Sequence, residues 1–265
     1  MIRDFLRTVN DLPLHLTIRH EETFGAETAD LKDGRLDSPE AWDVLRRVHP
    51  HFSVSPNREE WLRACEVKVK KDGQDGGLLL RAQTIIDLLR ENKVTAVFSI
   101  GVGGAGLEYQ IKKALPEIRL VCSEYAPNNV ELLRKVFTEA DSIIQFDMKG
   151  RDWTPALPKK EGEKIVTLMY RVDPHATDDE WRQIFERMYA EGVSNILYIP
   201  CGFLTLRSLL QRKWRIFSQR LRGVKFVFSG YLRTRKTFES YWAGLYRYEA
   251  KNFAGYTGYY LQKLP

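Results

Sequence analysis

The segment VTAVFSIGVGGAGLEYQIKKAL, residues 94–115, carries the clearest pattern in this chain. Its first seven residues form a short apolar run rich in β-forming side chains, which is typical of a buried strand. The glycine-rich turn at 101–106 ends that run. Leu107, Ile111 and Ala114 then follow at helical spacing. The segment therefore predicts a strand, a glycine turn and a helix in succession.

Outward from this segment, strand patterns and helical patterns alternate. Strands that alternate with helices predict a parallel sheet with helices on both faces. We therefore predict an α/β fold with a doubly wound, mostly parallel, seven-stranded sheet. The other six predicted strands lie at 118–124, 141–147, 164–170, 194–200, 224–232 and 257–263.

The part of the chain before residue 94 shows helical patterns and no clear strand alternation. Ser38 and Pro56 stand at helix starts, where a capping side chain or a first-turn proline is favoured. We predict two parts, an N-terminal helical lobe at 1–76 that caps a ligand cleft and a ligand-binding domain at 77–265.

Composition restricts the class of protein. The chain has 265 residues, of which 43% are hydrophobic and 29% charged, as in globular proteins. The net charge of +6 is uneven, because the segment from Phe203 to Lys251 holds twelve Lys or Arg and two Glu. Nucleic acid is one partner that such a segment allows. We favour instead an amphipathic helix at 204–221 that packs Leu209, Leu210, Ile216 and Phe217 on the sheet.

Several features argue against disulfide-rich, zinc-binding, membrane-spanning and secreted proteins. Three cysteines form no CxxC pair, and no apolar run approaches the length of a membrane span. The N-terminus has no apolar core of a signal peptide. We therefore expect a cytoplasmic protein without a membrane partner. No metal is expected, because Pro200-Cys201-Gly202-Phe203, after the fifth strand, supplies no acid that could bind a metal together with Asp173. The sequence leaves open whether the protein forms a homo-oligomer.

Two features of the predicted sheet point to a ligand. Gly101-x-Gly103-x-x-Gly106 joins a strand to a helix, so it allows a ligand to approach the backbone and the helix N-terminus. Glu124 ends the next strand, where its carboxylate lies beside the glycine turn and can accept both hydroxyls of a ribose. Asp147 ends the third strand and can accept a hydrogen bond from an adenine amino group.

These features resemble the class I S-adenosylmethionine-dependent methyltransferases, over residues 77–265. The resemblance rests on SIGVGGAG (99–106), SEYAP (123–127), QFDMKG (145–150) and LMYRVDPHATDDEW (168–181). It implies S-adenosylmethionine as the cofactor. It also implies direct methyl transfer to oxygen or nitrogen of a small-molecule acceptor.

The resemblance also implies which residues hold the cofactor. The glycine loop would pack under the methionine moiety, Glu124 would hold the ribose, and Asp147 with Met148 would flank the adenine. Ser99 stands where many members of the family have an acid. The implied cofactor-binding residues are Ser99, Gly101, Val102, Gly103, Gly106, Glu124, Tyr125, Asp147, Met148, Tyr170 and Arg171.

The candidates for chemistry lie after the fourth strand of the pattern. His175 is the candidate general base, because its ordinary pKa is near neutrality. Asp173 could orient His175 or bind an ammonium group, and Tyr170 could line the methyl pocket.

Three alternatives remain open from the sequence. A nicotinamide-binding domain has the same glycine spacing, although its chain rarely ends in a strand pair. The same cofactor could also donate an aminopropyl or aminocarboxypropyl group. Finally, the fold could serve as a binding module without catalysis.

Overall fold

The structure, a computed structural model, describes residues 12–22, 38–48, 54–71, 77–172, 175–221 and 227–265. Within these ranges it contains nine strands and eight α-helices. The helices are α1 (Pro39–Val48), α2 (Arg58–Lys71), α3 (Gly77–Glu91), α4 (Gly106–Ala114), α5 (Pro127–Val136), α6 (Asp178–Ala190), α7 (Leu206–Arg220) and α8 (Arg235–Trp242). The strands are β1 (Thr17–Glu22), β2 (Ala96–Ile100), β3 (Arg119–Glu124), β4 (Ser142–Gln145), β5 (Ile165–Tyr170), β6 (Asn195–Ile199), β7 (Val227–Arg233), β8 (Tyr246–Phe253) and β9 (Tyr256–Lys263).

Seven strands form the main sheet, in the order β4-β3-β2-β5-β6-β9-β8. The neighbouring strands from β4 to β6 are all parallel, and β9 runs antiparallel to both β6 and β8. The chain leaves β2 toward β3 on one side and later returns to β5 on the other. The carboxyl end of β2 is therefore the topological switch point, where open α/β sheets bind ligands. The predicted fold class is confirmed.

Helices cover both faces of this sheet. Successive residues of β2 point to opposite faces, so Val97 belongs to one apolar cluster and Phe98 to the other. The first cluster takes buried side chains from α2, α3, α4 and α5, among them Trp61, Ile85, Ile111 and Leu133. The second takes them from α6 and α8, among them Trp181, Phe185, Phe238 and Trp242.

The prediction of a sheet strand at 224–232 is wrong. Residues 227–233 form β7, which lies outside the main sheet and pairs antiparallel with β1. The partner of β9 is instead β8, which the sequence pattern missed. Only Tyr246 and Phe253, at the two ends of β8, are buried, because this strand lies at the edge of the sheet.

The N-terminal part contributes a strand as well as helices. The sequence of strand β1, TIRHEE, did not predict a strand. This strand pairs with β7, which is far from it in the sequence. The helix α2 supplies Trp61 and Cys65 to the same apolar cluster as Ile85 of α3. The division into a lobe at 1–76 and a domain at 77–265 stays a prediction.

The helix α7 does not pack as the sequence suggested. Leu210 and Phe217, which were expected to lie on the sheet, are more than half exposed. Leu209 and Ile216 are half-buried.

Candidate functional site

The glycine loop at the carboxyl end of β2 has the conformation that its glycines allow. Gly101 has φ +64°, and a β-carbon there would lie 2.7 Å from Cγ1 of Val172. Gly103 has φ +56°, but a β-carbon there would meet no atom within 4 Å. Side chains other than hydrogen are therefore excluded at Gly101 by strain and by contact. The space beside Gly103 is open.

Three hydrogen bonds from neighbouring elements fix this loop. The N–H of Val102 donates to the carbonyl of Ser123 at 3.1 Å. The Asn129 amide donates to the carbonyl of Gly103 at 2.8 Å, and the Trp61 indole donates to the carbonyl of Gly104 at 2.9 Å. Because β3, α5 and α2 each hold one point, the loop is organised before any ligand binds.

Glu124 ends β3 and is joined directly to the glycine loop. Its Oε2 accepts from the N–H of Gly103 at 2.8 Å, and its Oε1 accepts from the N–H of Tyr125 at 2.9 Å. The carboxylate is buried. The structure thus places the Glu124 carboxylate beside the glycine turn, as the sequence predicted.

Helix α1 lies against this carboxylate. Nη2 of Arg46 is 3.1 Å from Oε1 of Glu124, and both side chains are buried. Asp43 accepts a hydrogen bond from the Asn128 amide at 2.8 Å. The sequence reasoning missed Arg46, because no local pattern links a basic residue of one helix to an acid on a distant strand.

Ser99 faces the helix that follows the glycine loop. Its hydroxyl donates to Oε1 of Glu108 at 2.7 Å, and both residues are buried. Burial raises the pKa of Glu108 to about 7, against the lowering effect of the Ser99 hydrogen bond. An acid therefore stands next to Ser99 in space, supplied by α4. In the sequence, the burial of Glu108 is indicated only by its position in the first turn of α4, close to the apolar side of that helix.

The predicted adenine residues lie after β4. Asp147 is exposed, and its Oδ1 accepts from the N–H of Lys149 at 2.9 Å. The N–H of Gly150 donates to the Asp147 carbonyl at 2.8 Å, so Asp147 also shapes a turn. Met148 is half-buried and packs against the second apolar cluster.

A second group of residues surrounds the end of β5. Tyr170 is half-buried, and burial raises the pKa of its hydroxyl. Arg171 has φ +59°, a strained value for a residue with a side chain, and strain of this kind is common at functional sites. The guanidinium carbons of Arg81 and Arg171 lie 4.8 Å and 5.8 Å from the centroid of the Tyr256 ring. Arg81 and Tyr256 were not predicted.

Of the three catalytic candidates, the structure describes Tyr170 and His175 but not Asp173. His175 is half-buried, and its ring meets the Trp42 ring edge-on with centroids 5.4 Å apart. Helix α1 therefore contacts both this loop and Glu124. Asp173 lies outside the described residues. Among the residues that the structure describes, no group of three or more His, Cys, Asp or Glu could hold a metal ion.

No protein-family model and no curated protein matches this chain. Solved structures do match. The PH0226 protein of Pyrococcus horikoshii OT3 is 12% identical, with a TM-score of 0.50 over 83% of this chain and 98% of that one. Streptomyces venezuelae DesVI is 14% identical, with a TM-score of 0.49 over 78% of this chain and 99% of that one. Human N-acetylserotonin methyltransferase, solved with S-adenosylmethionine, is 15% identical, with a TM-score of 0.47 over 93% of this chain and 79% of that one.

Identities this low bear on the fold and not on the activity. The main sheet of this chain has five parallel strands followed by an antiparallel pair, β9 and β8, at one edge. That is the arrangement the sequence resemblance implied, and this chain has the fold of the class I S-adenosylmethionine-dependent methyltransferases.

Proposed function

We propose that this protein binds S-adenosylmethionine and transfers its methyl group to oxygen or nitrogen of a small-molecule acceptor. The observation that carries the proposal is the joint position of Glu124 and the glycine loop. The buried carboxylate at the end of β3 is 2.8 Å from the N–H of Gly103, at the switch point of the sheet. An acid in that position suits the two hydroxyls of a ribose.

The residues present fit this cofactor. The open space beside Gly103 allows a ligand to lie on the loop backbone. Glu124 offers carboxylate lone pairs for the ribose, and the exposed Asp147 suits an adenine amino group. One adjustment is needed, because Arg46 occupies Oε1 of Glu124. We therefore infer that Arg46 moves away from this oxygen when the ribose binds.

The acceptor would bind over the ends of β5 and β6. When bound, the sulfonium of the cofactor supplies an activated methyl group, so alignment and exclusion of water provide much of the rate. Tyr170 would line the pocket. His175 would take a proton if the acceptor is a hydroxyl or an ammonium group. The contact between Trp42 and His175 supports a role for helix α1 in closing this side of the cleft.

The experiment is a product assay with S-adenosylmethionine and a panel of phenols, amines and carboxylic acids. We expect S-adenosylhomocysteine to form only with an acceptor, and the product mass to rise by one methylene. A product that carries an aminopropyl or aminocarboxypropyl group would contradict methyl transfer. If the protein binds the cofactor but no acceptor in a broad panel reacts, the account of a catalytic site fails and the binding module is favoured.

Replacement of Arg46 by alanine should tighten binding of S-adenosylhomocysteine. The ribose then no longer competes with a guanidinium for the same carboxylate oxygen. We expect about a fivefold gain in affinity, which corresponds to about 1 kcal/mol. Calorimetric titration measures the change. The control is Arg58→Ala, which removes a different pair, with Glu139, and should leave the affinity unchanged. Weaker binding by Arg46→Ala would mean that Arg46 helps to hold the ligand.

A further inference from the structure

One helix carries most of the exposed large apolar side chains that the structure describes. Of nine such residues, five lie on α7 or directly after it, and they are between 41% and 73% exposed. A soluble surface usually scatters such side chains singly, so a concentration on one helix indicates an interaction surface. The five residues are Leu206, Leu210, Trp214, Phe217 and Leu221, and we call them the α7 stripe.

The α7 stripe occupies one side of its helix. At 3.6 residues per turn, the five positions fall within about 80° of arc. The opposite side faces the protein, where Nη2 of Arg212 lies 3.4 Å from Nε2 of His20 on β1. Leu209 and Ile216, on that inward side, are half-buried. The helix therefore rests on the protein by one side and presents the stripe outward.

The sequence segment that carries the stripe has charges of one sign. From Gly192 to Phe238 the sequence contains ten Lys or Arg and no Asp or Glu. The helix itself contributes Arg207, Arg212, Lys213, Arg215 and Arg220. An apolar stripe of Leu, Trp and Phe in such a basic segment is the pattern of helices that lie in the surface of an anionic bilayer.

We propose that the α7 stripe binds the surface of anionic phospholipid bilayers. The helix would lie in the plane of the headgroups, with Trp214 and Phe217 at the boundary with the acyl chains. A second copy of the chain is disfavoured, because two basic helices would repel each other. Nucleic acid is disfavoured, because three of the five side chains are leucines, which do not stack on bases. No helix among the described residues is long and apolar enough to span a membrane. The sequence-based expectation of no membrane partner rests on the lack of a spanning segment, and the proposal departs from it by invoking binding at the bilayer surface.

The test uses the full chain and vesicles of phosphatidylcholine, with and without phosphatidylserine. We expect co-sedimentation with the phosphatidylserine vesicles, and weaker binding as salt is raised. The double variant Trp214→Ala, Phe217→Ala should bind at least about tenfold less, because it removes the two aromatic side chains that would lie at the boundary with the acyl chains. The matched control is Leu79→Ala, Leu80→Ala, which removes two exposed leucines of α3 and should bind like the wild type.

Three results would overturn the proposal. One is no binding to phosphatidylserine vesicles by folded protein, and another is equal binding by the double variant. The third is binding of a single-stranded oligonucleotide, or formation of a dimer, that the double variant abolishes while vesicle binding is absent. Each of these would assign the stripe to a different partner or to none.

Discussion

Replacement of Glu108 by glutamine should stabilise the protein by about 3 kcal/mol at pH 8 and by little at pH 5. The reason is the burial of Glu108, which raises its pKa from 4.5 to about 7. Between these two values the folded protein binds a proton that the unfolded chain has released. The contribution that protonated Glu108 makes to the free energy of unfolding is therefore fully present below pH 4.5, and it is lost as the pH rises through about 7. Glutamine keeps an oxygen for the Ser99 hydroxyl and carries no charge at any pH.

Denaturant unfolding at both pH values measures this difference. The control is Glu139→Gln, which removes an acid that has the opposite shift, since its hydrogen bond with Arg58 lowers the pKa of Glu139. The free energy of unfolding of that variant should fall by about 1 kcal/mol or less, because the pair of Arg58 and Glu139 is partly exposed. Equal destabilisation of Glu108→Gln at pH 5 and pH 8 would contradict the account, because it would mean that Glu108 is ionised and stabilised by a partner.

Replacement of Glu124 by glutamine should weaken binding of S-adenosylhomocysteine about 100-fold. Two ribose hydroxyls that donate to an ionised carboxylate are together worth about 3 kcal/mol more than the same contacts with an amide. The amide oxygen can still accept from the N–H of Gly103, but the amide nitrogen that replaces Oε1 loses the hydrogen bond from Tyr125 and the contact with Arg46. Calorimetric titration gives the affinity, and circular dichroism checks the fold.

The matched control for this change lies at the opposite ends of the strands, before β5 and at the start of β3. Glu163 precedes β5 and pairs with Arg119, the first residue of β3, at 2.7 Å. The hydrogen bond from Arg119 lowers the pKa of Glu163 to about 2. Glu163→Gln thus also removes a carboxylate from an ion pair, but should change the affinity by less than about twofold, because Glu163 lies at the amino ends of the strands and ligands bind at the carboxyl ends. Unchanged affinity in Glu124→Gln would mean that this carboxylate only braces the glycine loop.

The sequence predicts the central strands well because they are buried on both faces. Nearly continuous apolar runs such as residues 96–100 leave little choice of structure. The edge strand β8 gave no such signal, since its six middle residues are mostly polar and mostly exposed. The apolar run at 224–232 gave a misleading one, because β7 pairs with β1 in a separate two-stranded sheet. A strand pattern does not specify the strand's partner.

The candidate site divides in the same way. Glu124 and the glycine loop could be predicted because their positions follow from strand ends in a parallel sheet. Arg46 could not, because its contact with Glu124 depends on where helix α1 lies in space. Glu108 resembles an ordinary acid at a helix start, which is favourable in any helix. Only the structure shows that it is buried against Ser99.

The central claim is that the glycine loop and Glu124, at the carboxyl ends of β2 and β3, bind S-adenosylmethionine. The most direct test is calorimetric titration of the folded wild-type protein with S-adenosylmethionine and S-adenosylhomocysteine, with NADH in parallel. We expect micromolar binding of the first two ligands and none of NADH. Binding of NADH alone, or of none of the three by folded protein, would contradict the claim.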